Sequence, residues 1–406
     1  MSKYPYNNPH QMHPMLPGEA KLNDLRPLAA DLISKAKDLA SHGMPHLRAL
    51  LRETLRPMNS FYTNKIEGQQ TEPLLIERAM NKDFSNQPDE ARKQRIAVAH
   101  IETERWADAT YPHFDASIFF NADVTHAIHR HLHAQLLPED LIQFNEDGIE
   151  QIVKPGISRE VGVIVGQHIP PDPMTLSLFM NEWHAAYQYA RAGETAVIAL
   201  VAAHHRFTWI HPFVDGNGRT ARLHTHAGLN ALGLTQGLWS PMRGLARQQE
   251  NYYTHLINAD QVRRGDLDGR GNLTEKGLVA FIEFFMQVCL DQIYFMNRLL
   301  DFSSFEDRLA QMLAAESTRK ETRYLKLEAA APLAYLGSVK SLERNRFKSM
   351  MGLADRTADR VLADLFKLGV ITSKTPKGPV ELAAPLDLFR YLFPRLWPEA
   401  EANTQA

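Results

Sequence analysis

The amino-acid sequence predicts a mainly α fold, and three observations carry the prediction. Apolar residues recur three and four apart through most of the chain. A single segment, Arg159 to Pro173, is instead β-branched, glycine-punctuated and stopped by prolines. From about Ser303 the composition shifts toward charge, so the tail reads as a separate module.

Taken in order, the first residues, MSKYPYNNPHQMHPMLPGEA, form an irregular proline-rich arm with no basic-then-apolar leader pattern. Helical periodicity follows in DLISKAKDLA from Asp31, PLLIERAM from Pro73, RIAVAHIETERWA from Arg95 and TAVIALVAAHHRF from Thr195. REVGVIVGQHIPPDP, from Arg159, reads as a short strand or hairpin set on these helices. The apolar stretch Phe281 to Leu300 is interrupted by Glu283, Asp291 and Arg298, which predicts an amphipathic helix of the core and no membrane span. In the tail, RFKSMMGLADRTADRVLADLFKLGVITSK reads as a helix, a turn at Gly352 and a second helix from Asp355 to Leu368 closed by Gly369. A strand pair around VITSKTPKGPVEL would add a wing, giving a C-terminal winged helix-turn-helix. Three regions result: 1–110, 111–300 and 301–406.

At 406 residues and 44% hydrophobic content the chain can bury a sizeable core. A formal charge of −2 excludes a global bias toward polyanions, so any such site must be local. One local excess lies between Ser341 and Val380, where eight Lys/Arg face four acids. Cys289 is the single cysteine, which excludes an internal disulfide framework and suits the cytoplasm; its apolar neighbours place it in the core.

The densest chemistry is HPFVDGNGRTAR, His211 to Arg222. A helix ending near Ile210 and another starting around Asn217 to Arg219 would leave Gly216 and Gly218 free to bring backbone N–H groups against an anion. The helix N-terminus adds partial positive charge, and Arg219 and Arg222, three apart, add guanidinium groups suited to phosphate. Asp215 cannot touch phosphate directly, but a bridging Mg2+ ion would give it a place. His211, mostly neutral at pH 7, can accept a proton from an incoming hydroxyl. Together these residues describe base-assisted attack on a nucleotide phosphate.

The loop resembles the signature of the Fic family, H-x-F-x-D/E-G-N-G-R-x-x-R, at every fixed position. The resemblance implies a Fic-type helical bundle with a small β-hairpin flap in 111–300. It also implies transfer of AMP from ATP to a Ser, Thr or Tyr hydroxyl of a target protein, with ATP as substrate and Mg2+ as cofactor. By it His211 is the general base and Asp215 the metal ligand. Asn217 with the Gly216 and Gly218 amides holds phosphates, Arg219 and Arg222 bind the distal ones, and Thr220 and Ala221 complete the nucleotide-binding turn. Phe213 would anchor the loop. The family's phosphate-transferring branch has Ala-Asn-Lys where this chain has Gly216-Asn217-Gly218, which sets it apart from that branch.

Further segments fit the resemblance. TNKIEG is similar to an inhibitory helix motif placed N-terminally, within 1–110: Thr63 and Glu67 share a helical face and Gly68 is a natural stop. Glu67 would pair with Arg222 and hold it from the γ-phosphate. VGVIVGQHIPP resembles the flap, with Val165 contacting the nucleotide and an extended target segment adding to it as a strand. Adjacent aromatics usually divide between core and surface, yet the resemblance places Tyr252 and Tyr253 beside the adenosine. Asp260 stands where relatives can have Asn and lacks the amide's donors.

The other histidines read as structural. His126, His129 and His133 share a face of what the sequence presents as a solvated helix, and His204 and His205 as packing or supporting groups. No G-x-x-x-x-G-K-S/T loop is present. Two alternatives accompany the reading: an enzyme that removes AMP with the help of Glu67, and a regulator that binds DNA, or docks a protein, through 301–406. A homodimer would offer a means of regulating Glu67.

Overall fold

In the computed structural model, residues 4–41, 45–144, 148–383 and 385–396 are described, without the side chains of 302 and 303. The start of the arm and the end of the 301–406 region, 397–406, lie outside the described residues. The chain divides into two compact units: Met1–Ala40 with Asn59–Ile293, and Ser41–Met58 with Tyr294–Ala406.

Helices dominate. They begin with α1 (Glu19–Ser41), α2 (Pro45–Ile66), α3 (Pro73–Met80), α4 (Pro88–Thr110), α5 (Ala116–Phe119) and α6 (Ala122–His133). A strand pair follows, β1 (Ile142–Phe144) antiparallel to β2 (Glu150–Ile152). Then come α7 (Leu176–Tyr187), α8 (Gly193–Ile210), α9 (Asn217–Ala231), α10 (Met242–Arg247), α11 (Gln249–Asp260) and α12 (Glu275–Leu299). The first unit is built around α8, whose residues from Ala196 onward are almost all buried, as a helix apolar on every side must be. It packs against α7 and α9, and α9 packs in turn on α4 and α6. The helix α12 is long and apolar enough to cross a membrane, and 67% of that window is buried inside the protein, with Phe281, Phe285 and Cys289 fully enclosed.

The strand expectation needs correction. Residues 159–173 form no hairpin ladder; one bridge, Val165 to His168, is the only pairing among them. Gly166 takes φ +59° and Pro170 and Pro171 follow shortly, so the backbone turns away before a ladder can extend. Pairing occurs instead in β1 and β2.

The second unit contains α13 (Phe302–Glu316), α14 (Ala330–Ser338), α15 (Arg344–Met351), α16 (Asp355–Leu368), β3 (Ile371–Thr372) paired with β4 (Glu381–Leu382), and α17 (Leu386–Leu392). Gly352 at φ +66° and Gly369 at φ +75° close α15 and α16. Lys348, Lys367 and Lys374 pair with Asp359, Asp364 and Glu381, which partly neutralises the local basic excess.

Candidate active site

The cradle between α8 and α9 is assembled by local geometry. The first helix ends at Ile210, and His211 caps it in the left-handed region at φ 51°, ψ 61°, a conformation that costs a non-glycine residue of order 1–3 kcal/mol and needs outside support. The support comes from Arg159, whose Nε donates to the His211 carbonyl at 2.8 Å while its own backbone N–H donates to the Pro212 carbonyl at 2.8 Å. The other arms of that guanidinium donate to the Val161 and Pro171 carbonyls at 2.9 and 2.7 Å. Arg159 is buried, and desolvation pulls its pKa down to about 10. Sequence reasoning missed this residue; its one signal was an arginine opening an otherwise apolar segment.

His211 is half-buried. Its Nδ1 lies 3.3 Å from the Thr208 carbonyl, which fixes the proton there and leaves Nε2 as an acceptor. Desolvation, then the Arg159 charge, push its pKa down to about 3, so the ring is neutral at physiological pH.

Beyond His211 the loop is pinned from inside. Phe213 is fully buried and stacks on His129 at a centroid distance of 3.8 Å. Asn217 spends its amide on that residue: Phe213 N–H donates to Oδ1 at 2.9 Å, and Nδ2 donates to the Phe213 carbonyl at 2.8 Å. Gly216 takes φ +81°, and a Cβ there would meet the His133 ring. Gly218 is different: its backbone is helical, and what it supplies is room, because a Cβ would sit 2.5 Å from Glu67 Oε1. The ladder of α9 starts with Thr220 N–H on the Gly216 carbonyl, so the preceding amides of its first turn have no acceptor within the helix.

The histidines of α6 are a second correction. His129 and His133 are not solvated; they are 0% and 2% exposed and form the floor under the loop. Gly156 N–H donates to His129 Nδ1, so His129 Nε2 carries the proton it donates to the Asp215 carbonyl at 3.0 Å. His133 donates from Nδ1 to the His129 carbonyl, and its Nε2 is buried with no hydrogen-bond partner among the described residues. Desolvation, then Arg219, lower its pKa to about 4. Their place beside Ile128 and Leu132 on the buried stripe was the available signal.

The charged residues form two pairs. Asp215 accepts from Arg219 at 2.8 Å and from Gln143 Nε2 at 3.3 Å. Desolvation pushes the Asp215 pKa up, but the opposing pulls of Arg219 and His133 hold it below the usual carboxylate range. Arg219 is buried, with no acceptor for Nε among the described residues. Arg222, 1% exposed, donates to Glu67, to Thr63 Oγ1 at 2.7 Å and to the Thr63 carbonyl at 3.3 Å. Burial lowers its pKa and Glu67 more than restores it, so the net shift is upward.

Glu67 reaches Arg222 because α2 stops where it does. Gln69 N–H returns to the Asn64 carbonyl and Gly68 N–H to that of Lys65, a Schellman closure made possible by Gly68 at φ +68°. The last carbonyl of the helix, on Ile66, accepts from Gln249 Nε2 at 3.0 Å and from the Tyr253 hydroxyl at 2.9 Å. Tyr253 is thus the exposed member of its pair and a cap on α2, while Tyr252 is buried with its hydroxyl 2.8 Å from His204 Nε2. Asp260 lies 3.2 Å from His205 Nε2, with its side chain 20% exposed. Arg206 donates to His205 Nδ1 at 2.7 Å, so Nε2 of that ring holds the proton and donates toward the Leu256 carbonyl and Asp260. The structure thus brings His211, Asp215 to Arg222, Thr63 and Glu67 around one loop, with Tyr253 joined to it through the end of α2. Val165, 40% exposed, lies in the segment that Arg159 ties to His211.

The arrangement fits a polyphosphate. It offers first-turn amides with no acceptor inside the helix, an Arg219 nitrogen with no acceptor among the described residues, and a second arginine whose carboxylate partner, Glu67, lies just past the end of α2. Asp215 fits a hard divalent cation by its oxygen chemistry.

Residues 120–229 match the family model described as the Fic/DOC family. Over 151 residues the chain is 30% identical to the protein adenylyltransferase Fic of Drosophila melanogaster, an alignment covering 37% of this chain and 27% of that protein. Over 110 residues it is 34% identical to the protein of that name from Aedes aegypti, covering 27% and 21%. The alignments thus span about a quarter of these relatives' length. Among solved structures, a Fic family protein from Desulfovibrio desulfuricans G20 aligns over 88% of this chain and 97% of its own, at 18% identity and a TM-score of 0.49. Fic-1 from C. elegans aligns over 68% and 74%, at 17% identity and a TM-score of 0.47.

Proposed function

We propose, from the match of residues 120–229 to the Fic/DOC family model, that this chain is a protein adenylyltransferase held in check by its own Glu67. The observation that carries the reading is the orientation of His211, with Nδ1 toward a carbonyl and Nε2 free beside an anion-binding helix end. A target Ser, Thr or Tyr hydroxyl gives its proton to His211 Nε2 as its oxygen attacks the α-phosphorus of ATP. The new P–O bond carries AMP to the target, and the bond to the β-phosphate breaks to release pyrophosphate. An anionic nucleotide near His211 raises the basicity that burial has lowered.

The amides at the start of α9 and Arg219 hold the inner phosphates, and Arg222 the terminal one. Asp215 would hold Mg2+, which neutralises phosphate charge when bound; Arg219 and Gln143 occupy the carboxylate meanwhile. Glu67 competes for Arg222, since a guanidinium engaged by a carboxylate cannot also clamp a phosphate. The target approaches over 157–169, where Ile157, Val161, Ile164, Val165 and Ile169 are all exposed, an apolar display that supports docking of an extended segment.

Labelling with ATP radioactive at the α-phosphorus tests the proposal. Transfer of label to protein is expected from wild type and absent in His211→Ala, with no transfer from γ-labelled ATP in either. Undiminished labelling by His211→Ala would sink the mechanism. A second reading draws on Glu67, whose side chain is 29% exposed and so open to water: it would activate that water to remove AMP from a modified target. Release of AMP by wild type and none by Glu67→Gly would favour it.

A further inference from the structure

The N-terminal arm, which the catalytic reading does not use, is strapped to the first unit by a line of specific bonds. Pro9–Met12 is a short 3-10 turn capped by Asn8 and Gln11. The Gln11 carbonyl accepts from Asn272 Nδ2 at 3.0 Å, and the His13 carbonyl accepts from Leu273 N–H at 2.8 Å. Tyr187 donates to the Met15 carbonyl at 2.7 Å, and Met12 and Met15 are buried. The backbone that carries His10 and His13 is therefore fixed.

On the outer side of this strap, three potential ligands converge. His13 Nε2 lies 2.7 Å from Glu182 Oε1 on α7, and the rings of His10 and His13 are 5.2 Å apart. One nitrogen from each ring and one carboxylate oxygen all fall within 4.8 Å of one another. We propose that His10, His13 and Glu182 bind a divalent transition-metal ion of the zinc class, with water completing the shell. Two imidazoles and one carboxylate suit Zn2+ rather than Mg2+ or Ca2+, which select oxygen sets. Around a tetrahedral ion with bonds of ~2.0–2.1 Å the ligand atoms must come to about 3.3 Å from one another. His10 is exposed, so rotation of its side chain supplies most of that closure, while His13 and Glu182 need only part slightly.

The site would also reach the interior. The residue after His13, Pro14, offers its carbonyl to Arg206 Nε and Nη2 at 3.0 and 2.8 Å. Arg206 is fully buried and donates to His205, which in turn faces Asp260. An ion that clamps the arm therefore holds the acceptor at the far end of a hydrogen-bonded relay ending at Asp260.

The rival account is that His13 and Glu182 simply bond to each other. Equilibrium dialysis of untagged, chelator-stripped full-length protein against Zn2+, with bound metal counted by mass spectrometry, separates the two. One equivalent is expected on wild type. Glu182→Gln, which preserves the side chain's size, should weaken it by at least the ~10–100-fold that loss of an outer partner alone costs. His10→Ala/His13→Ala should abolish it, while the exposed His113→Ala should leave it unchanged. Zn2+ should slow proteolytic cleavage of the arm in wild type and not in Glu182→Gln, with equal melting temperatures in chelator showing that both are folded. No stoichiometric binding by wild type, or undiminished binding by the double variant, would overturn the proposal.

Discussion

Replacing Glu67 with glycine tests whether one carboxylate governs the site. In the wild type Arg222 is 1% exposed and divides its donors between Glu67 and Thr63. Removing Glu67 leaves the two Thr63 bonds, so the guanidinium stays in place but loses its anionic partner. A hydrogen bond between charged groups contributes roughly 1.5–3 kcal/mol, and Glu67 is partly open to solvent, so about 2 kcal/mol is the fitting value. A terminal phosphate no longer has to displace that bond, and at 1.36 kcal/mol per decade the productive binding of ATP should improve roughly 30-fold. Initial rates of protein labelling with α-labelled ATP at subsaturating nucleotide measure this directly. The melting temperature should fall, because a buried guanidinium without a carboxylate outweighs the relief, about 0.3–1 kcal/mol, of taking a negative charge from a helix C-terminus. The decisive comparison is the same substitution beside Arg222→Ala. An equal rise in both backgrounds, or no rise in either, would refute competition for Arg222.

Other perturbations probe the scaffold of the loop. Arg159→Met removes three bonds to carbonyls, at ~0.5–1.5 kcal/mol each, and should destabilise the fold by about 2–4 kcal/mol in urea unfolding. It should also lower kcat more than it raises KM for ATP and speed amide exchange across 160–171; unchanged exchange would remove Arg159 from its role in tying that segment to His211. Gly216→Ala meets both a left-handed backbone, ~1–2 kcal/mol, and the His133 ring, ~1–3 kcal/mol, so a loss of about 2–5 kcal/mol is expected by the same unfolding measurement. Burial lowers His100 to about 3 and His133 and His224 to about 4, against an unfolded value of about 6.5. Their folded forms bind fewer protons, so their contribution is complete above about pH 6.5 and is lost as pH falls toward 4, at up to about 1.4 kcal/mol per pH unit for each. A urea midpoint that stays constant from pH 7 to pH 5 would contradict this.

Much of the site was legible because its chemistry is local. The sequence from His211 to Arg222 contains the cap of one helix, a glycine where the backbone takes φ +81° and the start of the next helix, all within a dozen residues. The same holds for Thr63, Glu67 and Gly68, where helical spacing and a C-terminal stop suffice to put a carboxylate at the end of α2. The hairpin expected at 159–173 failed for the opposite reason. Strand propensity there was real, but a ladder needs a partner, and the available hydrogen bonds went to Arg159 and the loop.

By itself, then, the sequence determined the mainly helical fold class, the glycine turn between α8 and α9, and a carboxylate at the end of α2, since each depends on spacings of a few residues. Only the tertiary structure decided which polar groups are buried and what satisfies them. His129 and His133 became the floor of the loop because Gly156 and Asp215 arrive from elsewhere in the chain. Arg206 is tolerated in the core because the Pro14 carbonyl, 192 residues away, meets it there. Burying a polar group is costly until a partner is in place, and for these groups the partner is supplied by the folded chain, not by neighbours in sequence.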